Sequence, residues 1–481
     1  MRILTASNRL PFWIGKNEAG FNLIEASEGI AASINTFLQK SSIDYLWFGK
    51  PNIDLSQDSE EINEFLLEKK IIPVTLEPGL FEFSERFCNK TIWPLFHYFP
   101  SQASYDSKHW RAYVQINEKF SSSIQPRLQE GDLIWIQDYH LLLLPHLIRQ
   151  MAPMGCKIGV FLNIPFPSYE VFRQIPLAWA KKIISGLLAC DLIGFQTEGF
   201  VQSFVRCVSS FLSLPSEDKK ILLGNRVVHV EAFPVGIDFE KYHNSSLQPE
   251  VSLEVENMKK SFLQRKIILS IDRLDHSKGI LNKLISYEKF LETNTTWHQR
   301  VTYLCVVAPS RIKDEHYLSI KRRIDEIVGR INGRFGSFNW IPIVYQHQFL
   351  PFQKLAALYN SGDVMLITPL REGMNLIAKE YVATRRSNTG VLILSELAGA
   401  SKELKDALIV NPNDVDAIVS AIQQALSLSG NEQKRRIESM QSSIKNHDLF
   451  RWANSFLQIL SSIKSVCSFF TLIPELLPFV T

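Results

Sequence analysis

Two charged loops, each following an apolar run, carry the clearest chemistry in this chain of 481 residues. The first loop, Ile271-Asp-Arg-Leu-Asp-His-Ser-Lys-Gly279, follows residues 266–271, which have the pattern of a buried strand. Open α/β sheets bind ligands at the carboxyl ends of their strands. We therefore expect Arg273 and Lys278 to project from that edge, where two fixed cations suit a leaving diphosphate.

The second loop, Pro369-Leu-Arg-Glu-Gly-Met-Asn-Leu-Ile-Ala-Lys-Glu380, follows the apolar run 364–368 and is predicted to turn at Gly373 into an apolar helix. Backbone N–H groups and the positive end of such a helix can face phosphate oxygens. Either loop alone favours a simpler explanation, a solvated charge or an ordinary turn. Both loops in one half of the chain, in this order, indicate a site for a nucleotide-sugar diphosphate.

The N-terminal half holds a second set of polar and aromatic residues. Arg9 ends the first apolar run, Trp93 opens Trp-Pro-Leu-Phe-His-Tyr98, and Asp138 follows the run 133–136. An Arg can hold phosphate in a bidentate fork, a ring can stack on a sugar face, and an Asp can accept hydrogen bonds from hydroxyls. This set suits a polar, phosphorylated acceptor.

Structural explanations exist for the same residues. Trp93 could be a core aromatic, Asp138 could cap a helix over residues 141–144, and His140 could be a hydrogen-bonded buried imidazole. Spacing alone does not separate these interpretations from the functional one.

Apolar runs with strand character alternate with helical patterns along the chain. They lie at residues 45–48, 133–136, 158–162, 192–195, 267–271, 301–307, 341–345, 364–368 and 391–395. This alternation indicates βαβ units with parallel sheets, and hence an α/β fold. The segment 233–238, followed by a polar stretch at 241–260, marks the best boundary between two Rossmann-like domains.

Composition is that of an ordinary enzyme with large cores. Hydrophobic residues make up 46% of the chain, and 52 basic residues against 49 acidic ones give a formal net charge of +3, so no nucleic acid partner is expected. Six cysteines lack the paired spacing of zinc sites and the density of a disulfide scaffold, so reduced thiols are expected. They are Cys88, Cys156, Cys190, Cys207, Cys305 and Cys467.

The two ends of the chain bear on location. The N-terminus lacks a long hydrophobic region followed by a cleavage site, which predicts a cytoplasmic protein. The apolar tail from Phe469 to Thr481 is too short, and too interrupted by Pro474 and Pro478, to span a membrane. We expect it to pack on the protein surface or on a neighbouring molecule. If the neighbour is a second copy of this chain, the protein is a homo-oligomer.

A series of motifs runs along the chain from the first strand to about residue 460. Taken in order, this series resembles the trehalose-6-phosphate synthase family of retaining GT-B glycosyltransferases. The motifs are Ser7-Asn-Arg-Leu, Trp93-Pro-Leu-Phe-His-Tyr, Asp138-Tyr-His-Leu, Pro165-Phe-Pro-Ser, Asp272-Arg-Leu-Asp, Val328-Gly-Arg-Ile-Asn-Gly333, Gly373-Met-Asn-Leu and Leu394-Ser-Glu.

The resemblance implies a GT-B fold of two facing Rossmann-like domains. It predicts an acceptor domain over residues 1–236, completed by a C-terminal helix at about 450–466, a nucleotide-sugar domain over 237–449, and an apolar tail over 467–481. It also implies the reaction, transfer of glucose from UDP-glucose to glucose 6-phosphate with retention of configuration, giving trehalose 6-phosphate and UDP.

Residue roles follow from the same resemblance. It implies catalytic roles for Arg273, Lys278 and Asp138, and acceptor binding by Arg9, Trp93, Asp138 and Arg311. It implies donor binding by Gly29, Asn163, Arg273, Lys278, Leu350, Glu372, Gly373, Met374, Asn375, Leu376 and Glu380. Glu380 matches the ribose ligand of the family, and Leu350 lies near the position of the nucleotide base.

In retaining transferases of this kind the departing diphosphate oxygen is thought to help deprotonate the acceptor hydroxyl. No enzyme nucleophile, metal or cofactor is then expected, because the protein's contribution is positioning and charge stabilisation. Asp414-Val-Asp416 has the spacing of a metal-binding pair, but it precedes the helical run 417–426 and is interpreted as a helix cap.

Five positions depart from the family pattern. Glu28 stands where the family has glycine, Asn163 and Gln137 where it has His, Glu372 where it has Asp, and Ser84 near a phosphate-binding Tyr. These departures keep two alternatives open. One is a related transferase with another donor or acceptor, such as a glucosylglycerol-phosphate synthase or a pseudoglycosyltransferase; the other is a noncatalytic homologue that binds sugar phosphates.

Overall fold

The computed structural model describes residues 1–17, 20–25, 30–53, 59–310 and 315–464. The chain divides into two compact units, the first containing Met1–Phe233 and the chain from Trp452, the second containing Pro234–Arg451. The division falls after Phe233, whereas the sequence placed it after residue 236. Phe233 stays with the first unit because its N–H donates to the carbonyl of Phe195 at 2.7 Å.

The described strands of the first unit form one large sheet and a separate hairpin. They are β1 (Arg2–Arg9), β2 (Phe12–Asn17), β3 (Gly20–Glu25), β4 (Asp44–Lys50), β5 (Ile71–Pro73), β6 (Leu133–Gln137), β7 (Lys157–Phe161), β8 (Leu192–Phe195), β9 (Ser216–Glu217), β10 (Lys220–Leu223) and β11 (Arg226–Ala232). The sheet order is β5-β4-β1-β6-β7-β8-β11-β10-β9, and β2 pairs with β3 in the hairpin.

The sheet is parallel from β5 to β11, and β10 and β9 extend it in antiparallel pairing. Every residue of β6 is buried, as expected for a strand covered on both faces. Strand order reverses between β1 and β6, so this is the switch point at which open α/β sheets bind ligands.

Helices of the first unit cover the sheet. They are α1 (Ile30–Lys40), α2 (Ser59–Glu68), α3 (Pro78–Phe87), α4 (Trp93–Phe96), α5 (Ser107–Ile124), α6 (Leu144–Arg149), α7 (Tyr169–Phe172), α8 (Leu177–Leu188) and α9 (Glu198–Leu212). Helix α5 shows the pattern: Asp106 caps its start by accepting from the Lys108 N–H at 2.7 Å, and Trp110, Tyr113 and Phe120 are buried along one face.

The second unit is built on a six-stranded, fully parallel sheet among the described residues. Its strands are β12 (Lys266–Arg273), β13 (Val301–Ala308), β14 (Ile343–Gln346), β15 (Val364–Ile367), β16 (Val391–Ser395) and β17 (Leu408–Val410). The order β14-β13-β12-β15-β16-β17 is that of a Rossmann sheet, with the switch point between β12 and β15.

Helices on both faces complete this unit. They are α10 (Phe239–His243), α11 (Pro249–Ser261), α12 (Ile280–Thr293), α13 (Glu315–Phe335), α14 (Phe352–Ser361), α15 (Leu376–Thr384), α16 (Val415–Ser427) and α17 (Gly430–Asn446). No helix within the described ranges is long and apolar enough to cross a membrane.

The last helix, α18 (Leu449–Ser462), begins and ends earlier than the predicted 450–466. Asp448 sets its start, since Oδ1 accepts from the Arg451 N–H at 2.8 Å. Phe456 of this helix packs over Gly159 and Gly194 of the first sheet, where an added Cβ would lie 2.9 Å from the Phe456 ring at either position. The two glycines therefore make the groove that the helix needs.

Most predicted strands are confirmed within one or two residues, and those at 192–195 and 391–395 are confirmed at both ends. The strand predicted at 341–345 begins later, at Ile343. Pro342 has no N–H for the ladder, and Ile341 is 57% exposed. Strands β2, β3, β5, β9, β10, β11 and β17 were not predicted, because their short or mixed segments lack a clear apolar run.

Candidate functional site

The switch point of the second unit brings the two predicted donor loops together. Arg273 is the last residue of β12 and is exposed, and the loop 369–375 follows β15. The Leu370 N–H donates to the carbonyl of Ser277 at 2.7 Å. Gly279 has φ +64°, and a Cβ there would lie 2.4 Å from the Thr368 carbonyl oxygen, so only glycine allows this approach.

Asp275 shapes the first loop. Its Oδ1 accepts from the backbone N–H of Ser277 at 2.9 Å and from the Ser277 hydroxyl at 2.8 Å, and its Oδ2 accepts from Tyr317 Oη at 3.0 Å. These bonds begin a single 3₁₀ turn, His276–Lys278. The turn directs Lys278 back across the end of the sheet.

Lys278 and Glu372 form an ion pair that joins the two loops. The Lys278 ammonium contacts Oε1 of Glu372, while Asn375 Nδ2 donates to Oε2 at 2.7 Å. Only 10% of the Lys278 side chain and 17% of the Glu372 side chain are exposed. Burial raises the pKa of Glu372, but the Lys278 charge, the two hydrogen bonds and the Arg273 charge outweigh it, so the pKa is lowered overall. Glu372 is therefore charged at neutral pH.

Backbone bonds to the neighbouring loop fix the segment that carries Glu372. The Glu372 N–H donates to the Leu397 carbonyl at 3.2 Å, and the Ala400 N–H donates to the Met374 carbonyl at 2.9 Å. A Cβ on Gly399 would lie 2.0 Å from the Gly373 carbonyl oxygen, so glycine is needed there. The motif Leu394-Ser-Glu therefore leads into a loop that supports the donor segment.

The helix predicted to start at Gly373 starts at Leu376 instead. Asn375 is its N-cap, with φ +94°, and its Oδ1 accepts from the Ala378 N–H at 2.9 Å. Residues 373–375 stay outside the helix, and the Met374 carbonyl is bonded instead to the N–H of Ala400 in the neighbouring loop. The amide of Asn375 thus caps the helix with its oxygen and contacts Glu372 with its nitrogen.

Glu380 and Lys379 are both buried on α15. Tyr359 Oη donates to Glu380 Oε2 at 2.7 Å, which orients the predicted ribose ligand. Lys379 points elsewhere: it pairs with Glu403 and donates to the Val235 carbonyl at 2.7 Å. Burial lowers the pKa of Lys379 against the opposing effect of Glu403. Leu350 lies half-buried in the loop between β14 and α14.

At the switch point of the first unit, Arg9 is held by a carboxylate that the sequence did not single out. Glu85 Oε2 accepts from Arg9 Nη2 at 3.2 Å, and Oε1 accepts from Asn8 Nδ2 at 2.9 Å and lies 3.7 Å from His140 Nε2. Burial raises the pKa of Glu85, but the charges of His140 and Arg9 and these hydrogen bonds outweigh it and lower the pKa overall.

Asp138 follows β6 with φ +66° and makes no helix-capping bond with its side chain. Its Oδ1 accepts instead from the backbone N–H of Asn163 at 3.3 Å. The capping explanation is therefore wrong for this residue. Left-handed backbone at a non-glycine residue is costly, and such positions concentrate at functional sites.

Three carboxamides stand at the ends of neighbouring strands in this sheet. Asn163 Oδ1 accepts from Gln196 Nε2 at 3.3 Å. Asn163 Nδ2 and both amide atoms of Gln137 are buried and have no hydrogen-bond partner among the described residues. Asn163, predicted to bind the donor, therefore lies beside the predicted acceptor residue Asp138.

Trp93 is partly a core aromatic and partly a ring that a sugar could reach, the two interpretations made from the sequence. A π-helical turn, Cys88–Ile92, leads into α4, where Trp93 stacks on His97 with ring centroids 4.0 Å apart. The indole also lies against Tyr139, with centroids 6.0 Å apart. The residue is only half-buried, so part of the ring stays open to solvent.

The remaining predicted residues divide into two groups. Gly29 and Arg311, like Glu28 and the tail 467–481, lie outside the described residues. Asp414 is confirmed as a helix cap, since Oδ1 accepts from the Ala417 N–H at 2.9 Å, and Asp416 pairs with Lys289 at 2.6 Å. Over the described ranges, no three His, Cys, Asp or Glu side chains are grouped as a metal site.

Comparisons with known proteins agree on one family. A model described as glycosyltransferase family 20 matches residues 1–462. The bifunctional trehalose-6-phosphate synthase/phosphatase of Thermoproteus tenax is 44% identical over 470 residues, which cover 97% of this chain. This chain spans 64% of that relative's length.

Two solved structures match nearly end to end. The alpha,alpha-trehalose-phosphate synthase (UDP-forming) from Burkholderia xenovorans, in complex with glucose-6-phosphate, has a TM-score of 0.85 and 31% identity, covering 96% of this chain and 100% of its own. A trehalose-6-phosphate protein from E. coli, bound with UDP-2-fluoro glucose, has a TM-score of 0.86 and 31% identity with the same coverage.

The ion pair between Lys278 and Glu372 gives a pH-dependent prediction. Glu372→Gln leaves the buried ammonium without its carboxylate and should lower the free energy of unfolding by about 3 kcal/mol at pH 7. A carboxylate whose pKa is lower in the folded than in the unfolded state stabilises the fold at pH values above its unfolded-state pKa. This contribution is lost as the pH falls through the folded-state pKa. Urea unfolding from pH 7 downward should show the difference from wild type shrinking.

Glu256→Gln is the matched control, because it removes an exposed pair with Lys260 in the same unit. Its unfolding midpoint should stay at the wild-type value. An equal effect of the two substitutions, or a Glu372→Gln effect that does not change with pH, would contradict the assigned ion pair.

Proposed function

Since the chain belongs to glycosyltransferase family 20, we propose that it transfers glucose from UDP-glucose to glucose 6-phosphate with retention, forming trehalose 6-phosphate and UDP. The family predicted from the motifs is confirmed, and the fold is the GT-B fold. The observation that carries the proposal is the cluster at the switch point of the second unit. There Lys278, Glu372 and Asn375 are linked in front of the capped start of α15.

The donor chemistry requires stabilisation of negative charge on the departing UDP. Arg273 and Lys278 can contact diphosphate oxygens, and the N–H groups at the start of α15 add the positive end of a helix. Glu372 offsets part of the Lys278 charge, so Arg273 and the N–H groups at the start of α15 supply the remaining positive charge. The ion pair holds the ammonium in place before the donor binds, which reduces the reorganisation needed during the reaction.

Glu380 and Leu350 extend the donor site toward the nucleoside. Tyr359 orients the Glu380 carboxylate, whose oxygens can accept hydrogen bonds from ribose hydroxyls. Leu350 offers apolar surface at the position assigned to the base. This division gives each part of the donor its own group of residues.

The acceptor chemistry requires one hydroxyl to be presented and one phosphate to be held. Asp138 can accept from sugar hydroxyls, the open part of the Trp93 ring can cover a sugar face, and Arg9 can bind the phosphate. Asn163 replaces the family's His, so at this position the site has a neutral hydrogen-bonding group whose charge does not change with pH.

Two further parts of the proposal concern what the reaction does not use and where it takes place. We propose that no metal or cofactor takes part, because the two cations and the helix start can offset the diphosphate charge. We also propose a cytoplasmic location. The five described cysteines are buried and form no disulfide in the described part of the chain, which fits a reducing compartment.

A nucleotide-release assay tests the proposed reaction. Purified protein is supplied with UDP-, GDP- or ADP-glucose, each crossed with glucose 6-phosphate, glycerol 3-phosphate or water. We expect acceptor-dependent release only with UDP-glucose and glucose 6-phosphate, and a product whose mass and anomeric proton signals are those of α,α-trehalose 6-phosphate. Release with a different pair, or no release despite UDP binding, would refute the assignment.

Substitution of Arg273 tests the donor site directly. Arg273→Ala removes charge stabilisation from the leaving UDP and should lower kcat by about 100-fold or more with folding intact. Arg300→Ala is the control, because this substitution removes the same charge from an exposed residue at the opposite edge of the same sheet. Steady-state kinetics on both variants give the comparison, and near-normal turnover of Arg273→Ala would exclude Arg273 from the donor site.

A further inference from the structure

Two cations from neighbouring strands share one aromatic ring at the acceptor edge of the first unit. Arg9 ends β1, Lys50 ends β4, and the parallel register pairs these two residues. Arg9 Cζ lies 5.2 Å from the centroid of the Phe81 ring, and Lys50 Nζ lies 4.8 Å from the same centroid. The two positive groups are therefore neighbours at this end of the sheet.

The backbone fixes Lys50 in that place. The Leu10 N–H donates to the Lys50 carbonyl at 3.1 Å, so the two segments of the chain stay paired beyond the last residue of β1. A Cβ on Gly49 would lie 2.8 Å from the Leu10 nitrogen, so glycine permits the approach. The ammonium of Lys50 also donates to the Pro51 carbonyl at 2.9 Å. The side chain is thus held at the carboxyl edge of the sheet.

Phe81 supplies the aromatic ring that both cations contact. It lies on α3, where it is partly buried against the hydrophobic core of the first unit. The face of an aromatic ring carries partial negative charge and attracts cations. A ring anchored in the core therefore restricts the positions of both side chains, and this reduces the entropy lost when a ligand binds them.

An anion can bind at this edge only if a second cation stands beside Arg9. Glu85 pairs with Arg9 and offsets much of its charge. A carboxylate this close would repel a phosphate, which carries about −1.5 to −2 charges at pH 7. Lys50 restores a positive balance around Arg9 while Glu85 keeps the guanidinium oriented.

We propose that Lys50 is a phosphate-binding residue, and that with Arg9 it binds the phosphomonoester of the acceptor sugar. This inference rests on the proposed function, from which it takes the phosphorylated acceptor. Two cations from separate strands can approach different oxygens of one phosphate, the guanidinium as a fork and the ammonium as a point charge. Phosphorylated sugars are thereby favoured over their unphosphorylated forms.

Kinetics with paired acceptors test the proposal. Lys50→Met keeps most of the side-chain length and removes the charge, while Lys50→Arg keeps the charge. For wild type and variants, kcat/KM is measured with glucose 6-phosphate and with glucose. We expect Lys50→Met to lower the preference for the phosphorylated acceptor by about tenfold or more, the loss of one charge-assisted contact. Lys50→Arg should retain most of the preference.

Lys70 is the matched control. It precedes β5 at the opposite edge of the same sheet, where its Nζ lies 5.2 Å from the Tyr45 ring centroid. Lys70→Met removes the same charge and the same type of ring contact. It should leave the acceptor preference unchanged, and all variants should keep the wild-type KM for UDP-glucose and the wild-type Tm.

Calorimetric titration of the whole chain with glucose 6-phosphate separates this proposal from the proposed function. Weaker binding by about tenfold in Lys50→Met, with normal binding by Lys70→Met, supports the phosphate site even if wild type forms no trehalose 6-phosphate. Unchanged binding in Lys50→Met, or no binding of glucose 6-phosphate by wild type, would overturn it. An acceptor preference that stays at the wild-type value in a folded, active Lys50→Met would do the same.

Discussion

The parallel pairing of strands is the constraint on which both candidate sites depend. In a parallel sheet all carboxyl ends lie at one edge, and at a switch point the two following loops diverge and leave space between them. The first unit has its switch point between β1 and β6, and the second between β12 and β15. Arg9 and Asp138 lie on the two sides of the first, Arg273 and Glu372 on the two sides of the second. Residues far apart in sequence meet because the sheet order requires it.

Each site pairs its cation with a carboxylate from another segment. Glu372 holds Lys278, and Glu85 holds Arg9, and in both cases positive neighbours lower the carboxylate pKa against the effect of burial. For Lys278, whose side chain is only 10% exposed, an unpaired charge would be costly, because burial removes its hydration. The carboxylates thus keep the cations ordered before a ligand binds. The consequence is that each anionic ligand must compete with, or add to, an existing ion pair.

The sequence predicted the fold and the location of the sites better than their internal contacts. Most of the buried parallel strands are continuous apolar runs, so their positions and the charged residues after them could be found by pattern alone. Gly373 was predicted to open a helix, but long-range backbone pairing with the loop at Leu397 delays the helix until Leu376. Nothing local distinguishes Glu85 as the partner of Arg9, since 76 residues separate them. Lys50 was not singled out for the same reason, because its importance comes from its register with Arg9.

We infer that the two units hold different ligands at their switch points. Hydrogen-exchange mass spectrometry of the whole chain, with UDP alone and with glucose 6-phosphate alone, tests it most directly. We expect UDP to slow exchange in peptides covering 273–280 and 369–378, and glucose 6-phosphate to slow it in peptides covering 7–12, 81–98 and 137–141. Protection of the same switch point by both ligands, or protection confined to the amino-terminal edges of the sheets, would contradict this assignment.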